Sequence, residues 1–234
     1  MCSSDLIGDK DRVDVILTNP PFGGEEEKGI QGNFPEDMQT SETALLFLQL
    51  IMRKLRRTPK PGRAGVVVPN GVLFGDGVCA RIKEELLKNF RLHTIIRLPN
   101  GVFAPYTNIP TNLLFFDRSE PTKDIWYYEQ PLPPEGRKNY TKTQPLQYEE
   151  FADCIAWWNK RTENDRAWKV PVDQVLKYEA EGRLLSVNLD LKNPNGKTDF
   201  EHLPPAQLVE DIIAKERKIL EILAEIKAEL EAAV

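Results

Sequence analysis

Histidine is nearly missing from this chain, with two in 234 residues, His93 and His202, far apart. A histidine-built zinc site or a histidine-based catalytic triad is therefore not expected. Cysteine is scarce too: Cys2, Cys79 and Cys154 are scattered with no C-x-x-C spacing. They suit a reducing cytoplasmic compartment, the two internal ones as small core-filling residues. No apolar run approaches the ~20 residues that cross a bilayer, so a membrane role is not expected. The first residues lack the charged, apolar and small-residue succession of a secretory signal. Positive surplus is also lacking, for the formal net charge is −5, unusual for a free-standing nucleic-acid binder. What is present is ordinary: 41% hydrophobic and 29% charged residues, enough chain for one α/β domain with an appended helical segment.

Charge is nevertheless clustered. Arg53, Lys54, Arg56, Arg57, Lys60 and Arg63 follow one another with no acid between them. Two readings stay open: a solvated helix end, where cations complement the helix dipole, or a strip that contacts nucleic-acid phosphates. At the start, Cys2-Ser3-Ser4-Asp5-Leu6 reads as a translated adapter joined to a gene fragment. Natural sequence is then expected from about Ile7, with the gene truncated upstream.

Along the chain, residues 13–18 (VDVILT) form a β-branched apolar run, expected as a buried strand. It meets Asn19-Pro20-Pro21-Phe22, where two prolines permit neither strand nor helix to continue. Residues 23–40 are polar and glycine-rich, expected as a surface loop. A helix is expected over 43–57, with Leu46, Leu50 and Leu55 among its apolar positions, and another over 77–90. Strands are expected at 64–69, 92–98 and 112–117, with an edge strand at 125–129; residues 99–111 are too long and proline-rich for a tight hairpin. Helices between strands imply a doubly wound parallel sheet, and the late strands joined without a helix imply an antiparallel pair. Beyond these, 151–159 reads as helical and 184–191 as extended. The expected division is a partial catalytic domain at 7–130, a mixed connecting region at 131–204, and a C-terminal helix at 205–234. In that helix Val209, Ile212, Ile219, Leu223, Ile226 and Leu230 recur in coiled-coil-like steps, interrupted at Glu216. The stripe either packs on its own domain or needs a partner.

The chemistry sits at Asn19-Pro20-Pro21-Phe22, at the carboxyl end of a strand, where open α/β sheets bind ligands. An exocyclic ring amine is a poor nucleophile because its lone pair is delocalised, and too weak an acid for a side chain to deprotonate. A protein can instead accept the amine's two hydrogens. The Asn19 side-chain oxygen and the Pro20 carbonyl suit that task, held rigid by the proline rings. Accepting both hydrogens favours a tetrahedral nitrogen with its lone pair free for attack. Phe22 offers a face on which a flipped base can stack.

This tetrapeptide resembles the catalytic motif of amino-group methyltransferases that use S-adenosylmethionine. The segments VVVPNGVLF at 66–74, RLPNGVFAPYT at 97–107 and TNLLFFD at 111–117 resemble the strand-turn segments of type I restriction-modification modification subunits. The resemblance implies the C-terminal part of the doubly wound methyltransferase sheet, with the last strand inserted antiparallel, and an adenine-specific DNA methyltransferase. It implies that Phe103, or secondarily Tyr106, closes over the target base; both read equally well as anchors of an ordered loop. Asn19 is the one position here expected to touch the methyl donor, because the family's F-x-G-x-G donor loop and its acidic ribose-binding residue are absent. The fragment is thus expected to be inactive alone and, without the first strands of the sheet, to expose its edge at 13–18. The implied partners are double-stranded DNA, a specificity subunit that grips the C-terminal stripe, a second modification subunit and a restriction subunit, with no metal. Two other readings stand beside it: a non-catalytic assembly module, and a protein glutamine methyltransferase, which the long 99–111 loop fits poorly.

Overall fold

The computed structural model describes residues 7–132, 139–196 and 205–232. Strands β1 (Val15–Thr18), β2 (Arg63–Pro69), β3 (Arg91–Arg97), β4 (Thr111–Asp117), β5 (Asp124–Glu129) and β6 (Ala167–Pro171) form one sheet in the order β1-β2-β4-β3-β5-β6. β1 runs parallel to β2, and β3 parallel to β5. β4 is antiparallel to both β2 and β3, so the sheet has the inserted antiparallel strand that the resemblance implies, although β4 is not the last strand, since β5 and β6 follow it. β5 is not an edge strand, because β6 pairs beyond it in antiparallel register. The stretch 131–204 therefore supplies structure to the sheet rather than only crossing it.

The helices are α1 (Lys28–Gln31), α2 (Thr43–Lys54), α3 (Gly71–Phe74), α4 (Val78–Asn89), α5 (Ala152–Asn159), α6 (Val172–Val175) and α7 (Pro205–Ala232). The periodic apolar positions of α2 and α4 cover one sheet face: Leu45, Leu48, Met52, Ile82 and Leu86 pack with Val66, Ile95, Leu114 and Phe116. At the carboxyl side of this layer the hairpin β7 (Leu176–Tyr178) and β8 (Leu184–Val187) joins α4. Lys83 of α4, fully buried, donates from Nζ to the carbonyls of Leu73 at 2.9 Å and Val187 at 2.5 Å. Burial holds its amine below the ordinary lysine value, and the two carbonyls supply the partners a buried donor needs. The other face carries a smaller cluster of Ile96, Leu98, Tyr128, Cys154, Trp157 and Ala167, closed by α5.

Residues 13–18 do not form a buried strand. Leu17 is 77% exposed and Val15 49%. The cause is position: β1 is at the sheet edge and has β2 alone as neighbour. Residues 23–40 are more than a loop, since they hold α1, a turn of 3-10 helix at Glu36–Met38 and a buried Phe34. Compactness divides the chain into residues 1–196 and 197–234. Within the second unit α7 is a continuous helix of 28 residues. No described helix is long and apolar enough to cross a membrane.

Candidate active site at the carboxyl rim of the sheet

The β1–β2 ladder closes at Thr18 opposite Val66, and the next two residues that could extend it are followed by prolines. Asn19 and Pro21 are exposed, Pro20 is buried and Phe22 half-buried. The motif thus opens on the surface of the carboxyl rim and is not enclosed in the core. The chain leaving it is tied down at once. Thr43 N–H donates to the Gly24 carbonyl at 3.2 Å, Glu26 N–H to Ser41 O at 2.8 Å, and Thr43 Oγ1 to Glu26 Oε1 at 3.0 Å. The start of α2 therefore fixes the segment just after Phe22.

The inserted strand brings the second aromatic to the same place. Because β4 runs backward between β2 and β3, residues 98–110 leave and return at the carboxyl rim. Their ends are bonded there, by Leu98 N–H to Thr111 O at 3.0 Å and Asn70 N–H to Pro110 O at 2.8 Å. The Phe103 ring meets the Phe22 ring edge-on, with centroids 5.2 Å apart and planes at 78°, a preferred aromatic geometry. Phe103 also packs, half-buried, against the smaller core cluster, so it anchors its loop and faces the motif together. Tyr106 is 93% exposed and is not a core anchor.

A polar network that the sequence did not disclose lines this rim. Asn112 Nδ2 donates to Asn70 Oδ1 at 3.0 Å, and Asn70 Nδ2 to Asp190 Oδ2 at 3.3 Å. Arg97 Nη2 reaches Asp190 Oδ1 at 2.6 Å, and Arg97 Nη1 the Leu191 carbonyl at 2.6 Å. Asn70 and Arg97 stand in the quoted strand-turn segments, and Asn112 in the one after. Asp190 lies 120 positions beyond Asn70 and carried no local signal. The network fastens the 188–191 strand-like segment across the ends of β2, β4 and β3.

The six clustered cations are elsewhere, toward the amino rim. Arg63 starts β2 opposite Val15. Arg56 pairs with Asp14 at 2.8 Å, and Arg53 donates to Asn33 O at 3.1 Å while covering the Phe34 ring at 4.7 Å. Arg53 and Arg57 line one surface concavity with Arg12, Arg81, Lys88 and Arg118; Lys60 and Arg63 line another with Arg91 and Arg161. Lys54 carries no ion pair among the described residues. The structure therefore unites Asn19, Pro20, Pro21, Phe22 and Phe103, and leaves the cations apart from them. In α7, Val209, Ile212, Ile219 and Leu223 are exposed; the side chains of Ile226 and Leu230 lie outside those described. Exposed apolar residues of α7 also include Ile213, Leu220 and Ile222, so the apolar surface is wider than the expected stripe. Residues 2–6 lie outside the described residues, and no cluster of three potential metal ligands occurs among the described residues.

Comparison with known proteins bears on the family and the fold. The family described as N-6 DNA Methylase matches residues 2–189. The methylase subunit of the type I restriction enzyme EcoEI of Escherichia coli is 50% identical over 207 residues, which is 86% of this chain and 40% of that protein. A solved modification subunit assigned to a type I restriction enzyme of Vibrio vulnificus YJ016 superposes with a TM-score of 0.82 at 66% identity, over 86% of this chain and 42% of that one. A chain from a structure of the type I R-M system's assembly and conformational transition gives a TM-score of 0.71 at 43% identity, covering 94% of this chain and 46% of its own. The EcoKI M protein shares the fold, with a TM-score of 0.60 at 24% identity. The chain spans half the length of these relatives or less. Through the match over most of its length and the strand order that places its N-P-P-F motif, it belongs to the N-6 DNA methylase family.

Proposed function

We propose that this chain carries the acceptor half of an adenine-specific DNA methyltransferase, part of the modification subunit of a type I restriction-modification system. The observation that carries the reading is the meeting of Phe22 with Phe103 beside an exposed Asn19, at the rim where the sheet order predicts a ligand. The two rings meet edge-on beside the motif, so a base turned out of a duplex would gain an aromatic surface there. Asn19 and the Pro20 carbonyl accept the amine hydrogens and shape the nitrogen for attack. No side chain needs to remove a proton before the attack. S-adenosylmethionine supplies the methyl group when bound to the complete enzyme. Of this chain's residues Asn19 fits that group; the glycine-rich loop that would cradle the donor is not in the sequence. The 234-residue chain is therefore expected to show no saturable calorimetric binding at micromolar donor, and saturation there would overturn this part.

The reading is tested by Asn19→Ala in the complete subunit. Methyl transfer should disappear while assembly with partner subunits persists; transfer at the parent rate would sink it. The same reading gives α7 a role in docking a specificity subunit, supported by its exposed Val209, Ile212, Ile219 and Leu223. Delegating sequence readout to that partner, with a second modification subunit and a restriction subunit completing the assembly, accommodates a net charge of −5. Removing residues 209–234 from the complete subunit should abolish co-purification with the specificity subunit.

A further inference from the structure

Phe103 owes its position to contacts that begin outside its own loop. Gly101 has φ of +79°, and a Cβ there would lie 2.2 Å from the Tyr140 carbonyl oxygen. Tyr140 N–H donates to the Asn100 carbonyl at 3.2 Å. The two backbones touch with no space for a side chain, which only glycine permits. Tyr140 is 2% exposed, and its hydroxyl donates to Glu150 Oε2 at 2.5 Å. The Glu150 carbonyl accepts from Gln130 Nε2 at 2.7 Å, and Gln130 N–H donates to Arg97 O at 2.9 Å. Arg97 ends β3, where the loop begins, so the contacts form a closed circuit. Within the loop, Ala104 N–H to Gly101 O at 3.0 Å and Tyr106 N–H to Phe103 O at 3.0 Å pass the placement on to Phe103.

We propose that Tyr140, held by Glu150, is a positioning residue for the Phe103 ring. The proposal rests on the methyltransferase reading, in which that ring covers the target base. A charge-assisted bond from a buried hydroxyl to a carboxylate is short and directional. It fixes the Tyr140 backbone, and that backbone is the wall against which Gly101 rests. A displacement of about 1 Å at a reacting centre can cost roughly 100-fold in rate, so the wall matters more for turnover than for affinity.

The test uses the complete subunit assembled with its partners, measuring kcat and KM for methyl transfer, DNA affinity, and 2-aminopurine fluorescence at the target position. Gly101→Ala should lower kcat about 100-fold. Tyr140→Phe, which keeps the ring and removes one bond, should lower it roughly 5- to 10-fold. DNA affinity and assembly should change less than about twofold in both, and the 2-aminopurine signal should rise because the flipped base loses its stack. Glu150→Gln keeps an acceptor and should retain most of the rate, whereas Glu150→Ala should behave as Tyr140→Phe does. Parent kcat in both Gly101→Ala and Tyr140→Phe would overturn the proposal. So would a kcat loss matched by equal losses of DNA affinity and melting temperature, which marks a structural role alone. Asn19→Ala run in parallel separates the levels: if it stays active, the methyltransferase reading fails; if it is inactive while the other two retain full rate, the positioning role alone fails.

Discussion

The two rims of the sheet use polar residues in opposite ways. At the amino rim, guanidinium groups are consumed by structure: Arg12 donates to Arg53 O at 3.0 Å, Arg118 to Met52 O at 2.8 Å, and Arg56 to Arg12 O at 3.2 Å. These are the last carbonyls of α2 and the chain beside it, which attract cations. The crowding is evident at Arg118, where burial, with Arg57 and Arg12 nearby, pushes the guanidinium down to about 10. At the carboxyl rim the groups come from five distant stretches, and Asn19, the proposed amine acceptor, is left exposed. Guanidinium groups thus hold the chain around the end of α2 at one rim, and asparagine, proline and phenylalanine gather at the other.

The strongest way to break this contrast is Asn19→Ala in the complete subunit. Loss of a preoriented polar group aimed at a reacting atom is expected to cost about 100- to 1000-fold in kcat, read by transfer of labelled methyl groups to DNA. Next is Phe103→Leu, which keeps apolar contact with the smaller core cluster but removes the ring face. Base–aromatic stacking is worth roughly 1–3 kcal/mol, so kcat/KM should fall about 5- to 150-fold, with a change in melting temperature under a few degrees. If melting temperature collapses while turnover per folded molecule holds, Phe103 belongs to the core and not to the rim chemistry.

What the sequence disclosed of this contrast follows from how local each signal is. Strand β2, helices α2 and α4 and the motif at Asn19 were legible because periodicity and proline act within a few residues. The inserted antiparallel β4 was legible through family resemblance. The exposure of the edge at 13–18 was legible only through the same resemblance, since an apolar run by itself reads the same whether one neighbour covers it or two. Strand β6 was hidden because Ala167–Pro171 earns its place by pairing with β5, a contact some 40 positions away. The rim network joins Asn70 to Asp190, and the Gly101–Tyr140 contact joins two loops; neither has a pattern in one dimension. Of the six adjacent cations, Arg53 and Arg57 face one concavity and Lys60 and Arg63 another, a division that adjacency in sequence does not show.

A further prediction concerns the amino half of the sheet, where the cations have an energetic signature. His93 on β3 is half-buried beside Arg161, whose guanidinium lies 3.4 Å from Nδ1 and 4.4 Å over the Trp158 ring. Burial first, and the Arg161 charge second, push the imidazole down to about 4 from 6.5, opposed by Asp117. A histidine whose folded value lies below its unfolded one stabilises the fold above pH 6.5, and that contribution is lost as pH falls through 4. At about 1.4 kcal/mol per unit, the loss over this window is roughly 3–4 kcal/mol. Melting temperature of the 234-residue chain should drop between pH 6.5 and 4, and His93→Gln should flatten that slope. Identical slopes in both proteins would remove His93 from the account.

The smallest expected effect tests whether the amino rim touches DNA at all. Arg57 and Lys60 sit on that rim, separated from Asn19 by the length of the strands, about 3.3 Å per residue. Each phosphate contact released contributes a slope of about 0.9 in the logarithm of affinity against the logarithm of salt. Were both residues on phosphates, Arg57→Ala with Lys60→Ala would reduce the slope by roughly 1.8. Because the rings that would hold a flipped base meet at the opposite rim, the double variant in the assembled complex should keep its slope within about half of one contact. A reduction near the full value would place duplex along the amino rim and require DNA to wrap the sheet from one end to the other.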